Sequence, residues 1–177
     1  MSQKKIHVFL SHGLESGPDS TKIQALKAEA EHFPDIEALA LDHRGIMDPA
    51  VRLKQMQQAM DSAGAEPEFT ILVGSSMGGW VCAETSARTP VLGCFLLAPA
   101  LAMPRYPDSH PEIQASQTQI IHGWQDDVVE PMPVIELAQK QNLSILMLAD
   151  GHRLADSLNR IVAEFRLFMH RCLGGED

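Results

Sequence analysis

An α/β fold, a doubly wound parallel sheet with helices on both faces, is predicted by three features of this sequence. Short apolar runs alternate with segments of helical period along the chain. Most of those runs are nearly continuous in apolar residues, the pattern of strands covered on both sides. The chain has 177 residues, 45% apolar and 21% charged, which suits a single domain over 1–177 with a substantial core.

Six strands are predicted, at 7–11 (HVFLS), 36–41 (IEALAL), 69–74 (FTILVG), 91–97 (VLGCFLL), 118–123 (TQIIHG) and 143–148 (LSILML). Five helices lie between and after them. Ile23, Leu26, Ala30 and Phe33 recur at helical spacing, with Asp19 or Ser20 as N-cap after Pro18. Asp48-Pro49 is a cap followed by a first-turn proline, and opens a helix carrying Val51, Met56 and Met60. A third helix follows Ser76 and runs to about Arg88, and a fourth follows Pro131 and Pro133. In the last, Leu154, Leu158, Ile161, Val162, Phe165, Phe168 and Cys172 form one apolar stripe that stops before Gly174-Gly175. Segment 98–117 breaks the rhythm. Pro99, Pro104, Pro107 and Pro111 disfavour a long regular element there, so a surface excursion with room for one helical turn is expected.

Charge narrows the partners. Fourteen Lys and Arg against 23 Asp and Glu give a net charge of −9, which repels nucleic-acid phosphates and anionic membranes. A small-molecule substrate is expected instead, with no nucleic acid and no membrane as partner. Cys82, Cys94 and Cys172 are widely spaced and odd in number, which indicates neither a disulfide framework nor a zinc knuckle. The apolar run near the N-terminus, IHVFL, is too short for a secretory segment. No stretch approaches the roughly 20 apolar residues that span a bilayer. A cytoplasmic location is expected.

In open α/β sheets, sites form beyond the carboxyl ends of the strands, so the residues that end each strand are read first. The third strand runs into Gly74-Ser75-Ser76-Met77-Gly78-Gly79, a G-x-S-x-G pattern centred on Ser76. That chemistry needs a tight strand-to-helix turn that pushes the serine oxygen into the open, with small residues two before and two after it. The Met77 N–H then lies at a helix N-terminus, where it can donate to a developing oxyanion. A bland Gly/Ser turn satisfies the same pattern. A phosphate-cradling loop fits less well, since the lysine of G-x-x-x-x-G-K-[ST] is missing.

The fifth strand leads into His122-Gly123-Trp124-Gln125-Asp126-Asp127, which places adjacent carboxylates in one loop. Either can orient an imidazole, and either can be a turn or cap residue. After the sixth strand comes Asp150-Gly151-His152-Arg153. His152 sits in a loop behind a glycine, whereas His170 lies late in the amphipathic helix and reads as solvated. His122 precedes the acid in the order Ser, Asp, His, and reads as structural. The first strand ends in Ser11-His12-Gly13-Leu14, a glycine-bearing loop that can present the Leu14 N–H as a second oxyanion donor. His12 reads as the residue that shapes this loop.

These motifs together resemble the α/β-hydrolase superfamily, near its small, lid-less bacterial esterases. HGLESGPDSTK, GSSMGGW, HGWQDDVV and DGHRL carry the resemblance and span residues 12 to 154. It implies a triad of Ser76, Asp126 and His152, since the H-G-x-x-D-x-x-V pattern puts the acid on Asp126 rather than Asp127. It also implies oxyanion donors at Met77 and Leu14 and a strand order of 2-1-3-4-5-6; no cofactor is expected, and with only segment 98–117 at the family's usual insertion point there is no room for a cap domain. The family's N-terminal antiparallel hairpin is expected to be absent, leaving the sheet all-parallel. Ester or thioester hydrolysis through an acyl-enzyme is the implied activity. A hydrolase-like scaffold that binds a ligand without turnover is the alternative. Trp80, Met103, Tyr106 and Trp124 are candidate pocket walls, each with an ordinary core role as its alternative. The eight histidines show no H-E-x-x-H pattern, and no metal is expected.

Overall fold

The structure, a computed structural model, describes residues 4–174; Gly175, which the sequence places just past the last helix, lies outside them. Six strands form one sheet: β1 (Ile6–Ser11), β2 (Ile36–Leu41), β3 (Thr70–Ser75), β4 (Val91–Leu97), β5 (Ala115–Gly123) and β6 (Ser144–Leu148). All five pairings are parallel and the order is β2-β1-β3-β4-β5-β6, as the resemblance implies. The helices are α1 (Thr21–Ala30), α2 (Pro49–Ala63), α3 (Met77–Arg88), α4 (Pro131–Lys140) and α5 (Leu158–Leu173).

Because successive strand residues point to opposite faces, each central strand feeds two cores at once. Val8, Leu10, Ile71, Val73, Phe95 and Leu97 turn one way, onto Ile23 and Leu26 of α1 and Ile161, Phe165 and Phe168 of α5. Phe9, Leu72, Cys94 and Leu96 turn the other way, onto Leu53 and Met56 of α2, Trp80 and Val81 of α3, and Val134 and Leu137 of α4. This double burial explains why the strands read as unbroken apolar runs. β2 lies at an edge of the sheet, and its exposed Glu37 and Leu39 show the alternation that the central strands lack.

Local chemistry sets the ends of the elements. Asp48 caps α2 by accepting the Ala50 N–H at 2.8 Å, and Pro49 follows it. Pro131 and Pro133 both fall in the first turn of α4, where a missing N–H breaks no intrahelical bond. α1 begins after Ser20, which makes no side-chain cap bond, and ends at Ala30, so Phe33 packs from beyond the helix. Leu154 also lies outside its predicted helix, at φ 52° ahead of α5, yet it is fully buried.

The reading of 98–117 as a surface excursion needs correction. Residues 115–117 belong to β5, where Ala115 and Gln117 pair with Val91 and Gly93. The remaining stretch, 98–114, carries no helical turn. It is not confined to the surface either, because Leu101, Tyr106 and Ile113 are buried in the core. Backbone bonds from Ala98 to Ile121 (2.8 Å) and from Ala100 to Ser76 (2.9 Å) tie its start to the sheet end. The prolines prevent a helix, but they do not prevent burial.

Candidate active site

Ser76 stands between β3 and α3 with φ 54°, a left-handed value that the surrounding chain must hold in place. Two glycines make the turn possible. A Cβ on Gly74 would collide with the Gly78 backbone, and one on Gly78 would collide with the Ser11 carbonyl at the end of β1. The Ser76 N–H donates to Leu97 of β4 at 3.0 Å, while its carbonyl accepts from Trp80 and Ala100. Met77 opens α3 and is buried, and the first N–H groups of a helix have no intrahelical partner.

Asp126 follows β5 and is 7% exposed, whereas Asp127 is exposed. The Asp126 Oδ1 accepts the backbone N–H of Val128 (2.9 Å) and Val129 (2.8 Å). Its Oδ2 lies 2.8 Å from His152 Nδ1, and His152 Nε2 lies 3.0 Å from Ser76 Oγ. Three loops at one end of the sheet thus bring Ser76, His152 and Asp126 into a continuous hydrogen-bonded line.

Residues outside the predicted set hold this line. His122 Nε2 is 3.1 Å from Asp126 Oδ2 and donates to the Val129 carbonyl at 2.9 Å. Burial pushes the His122 pKa down, with the Val129 carbonyl and the Asp126 carboxylate acting against it. Asp150 braces the His152 loop by accepting from Gly151 N–H (2.7 Å), Asp156 N–H (3.1 Å) and Ser157 Oγ (2.7 Å). Burial alone would raise the Asp150 pKa, but the hydrogen bonds from Ser157, Gly151 and Asp156 hold it below its ordinary value. Lys22 on α1 donates to the Arg153 carbonyl at 2.7 Å, and burial brings its pKa down to about 8.

Leu14 is half-buried in the loop after β1, and a Cβ on the neighbouring Gly13 would lie 3.5 Å from Ser76 Cβ. His12 Nδ1 donates to the Gly13 carbonyl at 2.7 Å, so it shapes the loop as its sequence position suggests. Two residues that sequence reasoning missed lie behind this loop. His43 is buried against Ser11 and Gln55, and burial lowers its pKa to about 4. Arg52 of α2 is buried against backbone carbonyls. A charged residue on the core-facing side of an amphipathic helix, between Asp48 and Met56, was the available signal for Arg52.

The candidate pocket walls separate. Trp80 is 1% exposed, donates its indole N–H to the Asp108 carbonyl at 2.6 Å and packs against Tyr106, so both belong to the core instead of lining an opening. Trp124 is half exposed on the surface. Met103 lines an open cleft of ≈ 470 Å³ between the start of the 98–114 stretch and the loop after Asp126, together with Leu101, Pro104, Arg105, Val128 and Pro133. Among the described residues, no cluster of three or more His, Cys, Asp or Glu is placed to hold a metal ion. None of the described helices is long and apolar enough to cross a membrane.

The fold is that of a small α/β hydrolase without a cap domain. The chain belongs to the uncharacterised protein family UPF0227, whose model matches residues 7–172. A solved structure from Xanthomonas campestris pv. campestris, grouped with the alpha/beta superfamily of hydrolases, is similar at 27% identity and a TM-score of 0.82, covering 94% of this chain and 99% of its own. Est1E from Butyrivibrio proteoclasticus shares the fold at 15% identity and a TM-score of 0.79, covering 97% and 89%. An alpha-beta serine hydrolase homologue from Coxiella burnetii does so at 15% identity and 0.75, covering 93% and 85%. No curated protein matches the chain.

Proposed function

We propose that the protein is a serine hydrolase that cleaves a carboxylic ester, or a thioester, of a small substrate through an acyl-enzyme on Ser76. The observation that carries this reading is the line from Ser76 Oγ through His152 to Asp126, with spacings of 3.0 and 2.8 Å. The first is a distance suited to proton transfer and the second to holding the imidazole in one tautomer.

Ser76 Oγ attacks the substrate carbonyl carbon as its proton passes to His152 Nε2. Asp126 keeps the other imidazole proton on Nδ1 and stabilises the imidazolium. The N–H groups of Met77 and Leu14 donate to the tetrahedral oxyanion. Collapse expels the alkoxide or thiolate, which takes the proton from His152. Water then attacks the acyl carbon while giving a proton to His152, and Ser76 recovers that proton as the acid leaves. The cleft beside Met103 suits a small apolar acyl or alkoxy group. The net charge of −9 favours a small-molecule substrate over nucleic acid. The free thiols of Cys82, Cys94 and Cys172 agree with a reducing cytoplasm.

The test is Ser76→Ala, assayed with short p-nitrophenyl esters and a fluorophosphonate probe. Turnover is expected to fall by about 10⁶, as in comparable triads, and labelling to vanish. Labelling that persists in the variant would refute the assignment.

A further inference from the structure

The side chain of Arg52 lies outside the line from Ser76 to Asp126, on the inward face of α2. It is fully buried, and no carboxylate pairs with it among the described residues. Its donors go to backbone oxygens instead. Nε reaches Ile46 at 2.7 Å, Nη1 reaches His12 at 2.9 Å and Gly13 at 3.2 Å, and Nη2 reaches Leu14 at 3.4 Å. A cation taken out of water without a counter-ion is a costly choice for a core position, and three of its four acceptors are consecutive residues of the loop after β1.

The Gly13 carbonyl is held by three side-chain donors, of which Ser16 Oγ, at 3.5 Å, is the most distant. Besides Arg52, the carbonyl accepts the Nδ1–H of His12 at 2.7 Å. His12 is locked in that tautomer because its Nε2 accepts the His43 N–H at 2.8 Å. His43 is itself fixed between Ser11 Oγ (2.9 Å) and Gln55 Oε1 (2.6 Å), and Gln55 stands three residues along α2 from Arg52, on the same side of the helix. One face of α2 therefore supplies both anchors for the loop.

The Gly13 carbonyl and the Leu14 N–H belong to one planar trans peptide and point in opposite directions. Drawing the oxygen toward α2 turns the N–H away from it. Gly13 also lies against the serine, with its Cβ direction 3.5 Å from Ser76 Cβ. We propose that Arg52 is a positioning residue that, with His12, clamps the Gly13–Leu14 peptide so that the Leu14 N–H faces the oxyanion formed at Ser76. The inference rests on the hydrolase reading above. Arginine suits the task because its planar fork spans several carbonyls at once, while lysine offers a single point charge.

Arg52→Lys tests the clamp, with an oxoester and its thionoester analogue as paired substrates. Sulfur accepts hydrogen bonds poorly, so the preference for the oxoester reports how well the oxyanion donors are aimed. In the variant, kcat for the oxoester is expected to fall about 10²–10³-fold with KM within about threefold, the loss expected for one misplaced donor. The oxoester preference should shrink at least about tenfold. A variant with wild-type kcat, or one in which both substrates slow equally, overturns the clamp and leaves the hydrolase reading intact. If Arg52→Lys does not fold, His12→Asn and His12→Phe replace it. The first keeps an N–H for the Gly13 carbonyl and should hold the preference, whereas the second should lose it; equal preferences in the two overturn the proposal. A wild-type chain that is neither labelled nor active sinks the hydrolase reading and the clamp together.

Discussion

Asp126 holds His152 with one carboxylate oxygen and its own loop with the other. Oδ2 is 2.8 Å from His152 Nδ1, while Oδ1 accepts the N–H groups of Val128 and Val129 at 2.9 and 2.8 Å. The carboxylate therefore cannot rotate toward or away from the imidazole without giving up backbone bonds in a buried loop.

That constraint makes Asp126→Asn informative. The two Val N–H groups keep the amide oxygen on their side, so the amide NH₂ faces His152 Nδ1 and drives the imidazole proton to Nε2, where it blocks acceptance from Ser76. Esterase kcat is expected to fall by about 10³–10⁴, with a melting temperature within a few degrees of wild type. Asp127→Asn, on the exposed neighbour, is expected to stay within about twofold of wild type. Steady-state kinetics on the two variants checks the choice of acid; equal losses would speak against it.

Gly78→Ala should act through stability. The added methyl would be driven into the Ser11 carbonyl, and backbone cannot step aside as a flexible side chain can. A loss of about 1–3 kcal/mol is expected from overpacking, read by urea denaturation, along with lower activity as the turn around Ser76 shifts.

Acid should weaken the fold through His43. Burial brings its pKa down to about 4 from the ordinary 6.5, so between those values the unfolded chain binds a proton that the folded chain refuses. Stability is therefore expected to fall as pH drops from about 6.5 to about 4, by on the order of 3 kcal/mol from this one group. His43→Asn removes the titration. The difference in unfolding free energy between pH 7 and pH 4 should be smaller in the variant, and equal differences would count against this role.

The cleft beside Met103 should set acyl-chain preference. Burying one methylene is worth about 0.8 kcal/mol, so Met103→Ser should reduce the kcat/KM ratio of a butyrate to an acetate ester by about 3–10-fold. Paired kinetics on the two esters measures it, and an unchanged ratio would place the acyl group elsewhere.

The strands were legible because burial on both faces forces continuous apolar runs, as at 71–73 and 94–97, and the position of Ser76 was legible because its turn demands glycine at fixed offsets. The 98–114 stretch misled because proline reports only what the backbone cannot do; it does not report whether Leu101 or Tyr106 finds a core to enter. Trp80 likewise reads the same from sequence whether it faces a pocket or Tyr106.

Local rules were enough for the α/β alternation, the turn at Ser76 and the ranges of most elements, since each depends on residues a few positions apart. Which carboxylate meets the imidazole, and that a buried guanidinium from α2 grips the loop after β1, are contacts across 26 and 38 to 40 positions. Such contacts exist only once the sheet has stacked its strand ends side by side, because no local period encodes the distance between two loops.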